Sequence, residues 1–396
     1  MAENNNLYKK LGVSSKKEDV HNALKSIDKG LFPGAFCKII EDIDNRENYC
    51  SVFHADGAGT KASLAYMYYK ETGDISIFKG IVRDAMVMNL DDFLCIGATG
   101  NIFFSNNLGR NSQIIRGDVI ETIIKEYYEY SEKLTTLGLN VKMCGGETAD
   151  IGDLVKTLVV DASAFTTMKR EDIVDASNIK PNDIIIGLAS YGKASYEDEY
   201  NSGIGSNGLT LARHGVLSHK YYEKYPECYD QNLDEKFVFF GKYDLTDMID
   251  GLNLTIGKAL LSPTRTYAPV IKDILKDHRK EIHGIIHNTG GGQAKILKFG
   301  KGIKYVKNNL FMIPKIFKLI QRSSETQWKE MFSVFNMGHR MELLCNESIA
   351  PEIIKIAKKY RIDSKIIGYC EKSPIKGKNI LEVKAESGSF TYDQES

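Results

Sequence analysis

The chain has 396 residues, 42% hydrophobic and 26% charged, the balance of a globular protein with room for two domains. Lys+Arg and Asp+Glu each number 52, so the formal net charge is zero, which argues against a dedicated nucleic-acid binder. Seven cysteines without a CxxC pair argue against a disulfide framework or a zinc site, and no apolar run approaches the roughly 20 residues that span a bilayer. The polar stretch Ala2–Asn6 lacks a signal-peptide core, so the expectation is a cytoplasmic protein without membrane or nucleic-acid partners.

In chain order, Phe36–Ile40 and Tyr49–Phe53 read as strands, and Leu64–Lys70 reads as a helix. Ile81–Ile96 carries apolar residues at helical spacing and ends at Gly97. Asn101–Ser105 reads as a strand, and Asp118–Leu137 as a long helix whose apolar side includes Val119, Ile123, Tyr127 and Tyr130. Lys142–Cys144 leads into a Gly145-Gly146 turn, and Leu154–Phe165 is a further strand. A boundary near residue 175 gives domains 1–175 and 176–396. In the second, Ile184–Ser190 reads as a buried strand and Met341–Cys345 as another. Gly208–His214, Pro269–Lys276 and Pro351–Lys359 read as helices. The segments 193–201 and 221–250 read as surface elaborations.

The chemistry concentrates at turns. In Asp56-Gly-Ala-Gly-Thr-Lys61, Gly57 and Gly59 let backbone N–H groups approach an anion, Lys61 can meet a phosphate, and Asp56 can hold a hard cation. The stretch is not a Walker A motif, and a purely structural turn explains it equally well. Asp84, Asp91 and Asp92 interrupt an apolar helix, where charges are costly unless paired or metal-bound. Gly145, Gly146 and Glu147 form another glycine–carboxylate turn, with a helix cap as the alternative. Arg265 in Pro263-Thr-Arg265 offers a fork for phosphate or an ordinary salt bridge. His287 precedes the Thr289–Gly292 turn; a lone histidine of this kind is more often structural. Many glycine turns, many carboxylates and no convincing nucleophile suit phosphoryl transfer, which needs positioning and charge neutralisation.

The order of these motifs, from about Gly30 to Gly368, resembles the phosphoribosylformylglycinamidine cyclo-ligase family. The pieces are Asp56–Lys61, Asp84–Asp92 with Gly97, Gly145–Ala149, Ser206–Gly208 with Arg213, Pro263–Arg265 with Tyr267, His287 with Thr289–Gly292, and Phe335–Gly338. The resemblance implies an α/β (α+β type) two-domain fold whose N-terminal sheets pair into a barrel across a homodimer. It implies ATP and Mg²⁺, and ring closure of formylglycinamidine ribonucleotide in purine biosynthesis. On it, Asp56, Asp84, Asp92 and Glu147 would hold Mg²⁺. Asp56, Gly57, Gly59, Thr60, Lys61, Gly145, Gly146 and Glu147 would hold ATP. Ser206, Asn207, Arg265, Thr289 and Gly290 would face the substrate, and Lys61, His287 and Asp92 would be catalytic. Two departures stand out: Asp91 occupies a place where the family has Asn, and Gly205 one where it has His. A selenophosphate synthetase-like enzyme, with Cys37-Lys38 as its echo, and a catalytically silent nucleotide-binding regulator are the alternatives.

Overall fold

The structure, a computed structural model, describes residues 6–14, 18–24 and 26–393. Most of the Ala2–Asn6 stretch lies outside them. A first sheet holds β1 (Ile40–Glu41), β2 (Tyr49–Gly57), β3 (Asn101–Arg110), β4 (Asn140–Asp150) and β5 (Leu158–Lys169), in the order β1-β2-β5-β3-β4. All its pairs are antiparallel except β3–β4. Inward residues such as Val52, Phe104 and Ala164 alternate with outward ones such as Phe53 and Phe103, so one face is packed and the other open.

The packed face carries the helices Ile77–Cys95 and Gly117–Thr136. Gly117–Thr136 is amphipathic and half-exposed. Ile77–Cys95 is apolar almost all round, with Ile81, Val82, Met86, Leu90 and Phe93 fully buried, because it lies between the first sheet and the second half of the chain. Its three aspartates are therefore carried into the interior.

A second sheet holds β6 (Ile184–Ala189), β9 (Ile282–His287), β10 (Ile303–Lys307), β11 (His339–Cys345), β12 (Ser364–Lys372), β13 (Ile380–Ala385) and β14 (Gly388–Asp393); a separate two-stranded ribbon is formed by β7 (Met248–Ile249) and β8 (Leu254–Thr255). The order is β14-β13-β10-β12-β6-β11-β9. The expected strand at 184–190 is β6, buried along its whole length. The expected helices are Leu209–Val216, Ala268–His278 and Ala350–Lys359. Among the described residues no helix is long and apolar enough to cross a membrane.

Several local expectations are corrected. Gly145 and Gly146 do not turn; β4 runs through them to Asp150. A Cβ on Gly146 would stand 2.3 Å from the Asn106 carbonyl oxygen, so glycine here permits close strand pairing at a register shift. The last strand of this sheet starts at Leu158, not Leu154, and Phe36–Lys38 is irregular chain before the short β1. The segment 221–250 is not merely surface: Tyr221, Tyr225, Cys228 and Phe239 are buried there. Tyrosine bodies fill the space while Tyr225 donates to Glu71 and the Tyr221 hydroxyl accepts from Leu245 N at 2.9 Å.

Candidate active site

Each buried aspartate of the Ile77–Cys95 helix meets a protein cation or histidine from a distant segment. Lys61 Nζ donates to Asp84 Oδ1 at 2.9 Å, to Gly205 O at 3.0 Å and to Ser262 O at 2.6 Å. Asp84 Oδ1 also accepts from Thr264 N and Oγ1. Burial pushes the Lys61 ammonium down and Asp84 opposes that shift. Lys61 is fully buried with its three protons committed, so it does not face a triphosphate as expected. Its role in this geometry is to join the two halves.

Asp91 Oδ2 accepts from Arg340 Nη2 at 2.9 Å, and Oδ1 from Thr266 Oγ1 at 2.8 Å. Arg340 also donates to Arg265 O and to His287 Nε2. The two departures from the family pattern meet here. The Asp91 charge has Arg340 as its counterion. Gly205, at φ +70°, lies where an added Cβ would already be 3.5 Å from Arg340 Cδ, so a longer side chain would compete with Arg340 for space.

Asp92 lies between two histidines, with Oδ1 2.6 Å from His287 Nδ1 and Oδ2 3.3 Å from His54 Nε2. Burial opposes the Asp92 charge, yet His287 and His54 hold its carboxyl well below the usual range. Guanidinium only donates, so His287 Nε2 is an acceptor and Nδ1 carries the hydrogen. Burial, then Arg340, pushes His287 down. A fully buried neutral ring whose lone pair is taken cannot collect a substrate proton. In this geometry His287 positions Asp92. Arg265 departs similarly: its side chain is buried, forks onto Glu197 and donates to Ala189 O at 3.0 Å and Tyr191 O at 2.8 Å. It anchors the 193–201 segment and offers no free fork to phosphate.

The glycine turns of the two halves converge. Ser206 Oγ donates to Ala58 O at 3.3 Å, and the Thr60 and Thr210 hydroxyls are 3.3 Å apart. Asn207 Nδ2 would lie 3.9 Å from a Cβ on Gly290, which brings the 206–208 and 289–292 turns together. Asn336 Nδ2 donates to Gly203 O at 2.8 Å. Two helices, Lys61–Thr72 and Leu209–Val216, start at this junction. Neither has a side-chain hydrogen bond capping its N-terminus, so N–H donors and positive dipole ends gather there.

A cavity of about 370 Å³ opens next to the first of these turns, lined by Asp56, Gly57, Gly59, Asn107 and Asp161. Gly57, Asp161, Asn107 and Glu147 pair in one register row across β2, β5, β3 and β4. Paired residues share a sheet face, so Asp161, Asn107 and Glu147 stand in line, and Gly57 leaves room for Asp161, whose Oδ1 a Cβ would meet at 1.6 Å. Burial, then the charge of Asp56, raises the Asp161 carboxyl. Two carboxylates and an amide oxygen around a cavity suit a hard cation such as Mg²⁺. Asp161 was missed from sequence; the signal was a carboxylate at an open-face position of an otherwise apolar and small-residue strand. Asp84 and Asp92 are not part of this group.

Residues 36–168 match the family described as AIR synthase related protein, N-terminal domain. The phosphoribosylformylglycinamidine cyclo-ligase of Methanocaldococcus jannaschii is 30% identical over 321 residues, 81% of this chain and 78% of that one. That of Methanococcus vannielii is 30% identical over 363 residues, 91% and 86% of the two chains. Among solved structures, the HypE–HypF complex contains a chain similar at TM-score 0.56 and 15% identity, covering 95% of this chain and 99% of that one. Thermotoga maritima PurL complexed with FGAR gives TM-score 0.52 at 15% identity, over 96% of this chain and 49% of that one. The chain thus spans about half the length of PurL, and these structural likenesses establish the fold alone.

Proposed function

The chain belongs to the phosphoribosylformylglycinamidine cyclo-ligase family of purine biosynthesis, and on that premise we propose that it closes the ring of formylglycinamidine ribonucleotide with ATP, releasing ADP and phosphate. A formamide oxygen is a poor leaving group. Transfer of the ATP γ-phosphoryl group to that oxygen gives an iminophosphate. A nitrogen of the amidine then attacks the former formyl carbon, the C–O bond breaks, phosphate leaves and the imidazole ring forms.

The observation that carries this reading is the junction of two uncapped helix N-termini, one from each half, beside the Asp56–Asp161 cavity. The N–H groups at 59–61 and 208–211 would hold phosphate oxygens. Asp56, Asp161 and Asn107, with Glu147 farther along the row, would hold Mg²⁺, which when bound neutralises charge on the transferring phosphoryl group. Ser206, Asn207, Thr289 and Gly290 line the same junction and would orient the substrate so that its amidine meets its formyl carbon. Lys61 through Gly205 O and Ser262 O, with the pairs Asp91–Arg340 and Asp92–His287, would keep the two halves in register.

The open face of the first sheet supports the homodimer reading. Phe53 is 65% exposed there, and Phe103 stands in the same register row through Phe165; a second copy would cover such a face. The test of the activity is phosphate release with ATP and Mg²⁺, followed with and without formylglycinamidine ribonucleotide. Substrate-dependent release matched mole for mole by aminoimidazole product supports the cyclo-ligase. ATP binding without that release favours the silent regulator.

A further inference from the structure

Cys37, His54 and Asp92 come from an irregular segment, a strand and a buried helix. They bring a thiol sulfur, an imidazole nitrogen and a carboxylate oxygen within 4.8 Å of one another. The protons around them can be assigned from their partners. Asn89 is buried, and its Nδ2 is 3.2 Å from Asp56 O, 2.9 Å from Ala85 O and 3.0 Å from Ala162 O. Those are acceptors, so this end of the amide is the NH₂. Its Oδ1 therefore faces His54 Nδ1, at 2.9 Å. An amide oxygen only accepts, so Nδ1 carries a hydrogen. In the neutral ring His54 Nε2 is then the lone-pair nitrogen, and it looks straight at Asp92 Oδ2 from 3.3 Å. Asp92 Oδ1 is already taken by the His287 N–H. A lone pair and a carboxylate oxygen at that distance require a cation between them: a second ring proton, which burial opposes and Asp92 favours, or a metal ion.

We propose that Cys37, His54 and Asp92 form a binding site for a borderline-soft divalent cation of the Zn²⁺ or Co²⁺ type. Tetrahedral coordination with ordinary metal–nitrogen and metal–oxygen lengths sets these two ligand atoms about 3.4 Å apart, which matches the 3.3 Å seen. The Cys37 sulfur lies within 4.8 Å of both ligand atoms, and its S–H donates to the Asp92 carbonyl oxygen at 3.4 Å. The outer contacts of a metal site are complete. The ligating histidine donates its other N–H to Asn89, and the ligating carboxylate accepts from His287, whose tautomer Arg340 fixes. A thiolate and an imidazole select against Mg²⁺, whose preference is for oxygen. Binding would expel the Cys37 thiol proton and pin the segment 30–39 to β2 and the Ile77–Cys95 helix. The proposal stands on these contacts and is independent of the reaction assigned above.

The test uses the full chain, freed of metal by a chelator and titrated with Co²⁺. The expected result is stoichiometric uptake with a near-ultraviolet sulfur-to-cobalt charge-transfer band. Cys37→Ser should abolish the band. His54→Gln, at a partly exposed position, should weaken uptake beyond the roughly 10- to 100-fold that loss of an outer contact causes, with an unchanged far-ultraviolet circular dichroism spectrum. Absence of stoichiometric uptake would mean that a proton alone fills the gap and would overturn the proposal. So would uptake without the band, or a His54→Gln titration identical to the parent chain.

Discussion

Removing Arg340 tests how the two halves are held together. Its side chain is 2% exposed and serves Asp91, His287 and the Arg265 carbonyl at once. Arg340→Met keeps the aliphatic volume and deletes the charge. Asp91 is left fully buried with Thr266 Oγ1 at 2.8 Å and Tyr267 N at 3.4 Å as its remaining donors. Breaking a buried ion pair from one side costs about 3–5 kcal/mol, and the orphaned His287 acceptor adds about 1 kcal/mol. A loss of about 5 kcal/mol lowers the folding constant by more than a thousandfold. Urea unfolding at pH 7 reads this, with Trp328 fluorescence for the second half and circular dichroism for the whole; coincident transitions justify a single free energy. Arg340→Met combined with Asp91→Asn removes both charges and should recover at least half of the loss. A single variant within about 1 kcal/mol of the parent, below the range for such pairs, would refute the reasoning. A double variant no more stable than the single would do the same.

Lys61→Met should behave as a stability variant, losing about 3–5 kcal/mol through the abandoned Asp84 while the KM for ATP holds in the folded fraction; a raised KM with unchanged stability would return Lys61 to the phosphates. Asp161→Asn should lower kcat/KM by on the order of 10² and shift the Mg²⁺ dependence of phosphate release to higher concentration; an unaltered Mg²⁺ titration removes Asp161 from the cation site. Burial pushes His214 well below its ordinary value, and its Nδ1 accepts from Phe239 N at 3.2 Å. The folded state therefore keeps it neutral while the unfolded chain protonates it. Its contribution is fully present above about pH 6.5 and is lost below, by up to about 1.4 kcal/mol per pH unit. His214→Gln should flatten the fall in stability between pH 6 and pH 5 by that amount, and an identical slope would contradict it.

Periodicity made the long elements legible: the buried strand at 184–190 and the helix around Asp84–Asp92 stand close to where the apolar spacing puts them. Glycine misled at 145–146, because the same residue that makes turns also permits close strand pairing, and only the partner Asn106 distinguishes the two. The aspartates of the buried helix were legible as charges that need compensation. What compensates them was not, since the partners stand at positions 54, 61, 287 and 340, and no local spacing reveals which distant segment brings a cation. The oddities at Asp91 and Gly205 became intelligible only once Arg340 was seen between them.

The phosphorylated-oxygen pathway is tested most directly by the fate of the formyl oxygen. Formylglycinamidine ribonucleotide carrying ¹⁸O in its formyl group would be turned over in unlabelled water with ATP and Mg²⁺, and the released phosphate analysed by mass. The account predicts that each turnover places the label in phosphate. Label released to water, with unlabelled phosphate, would contradict it.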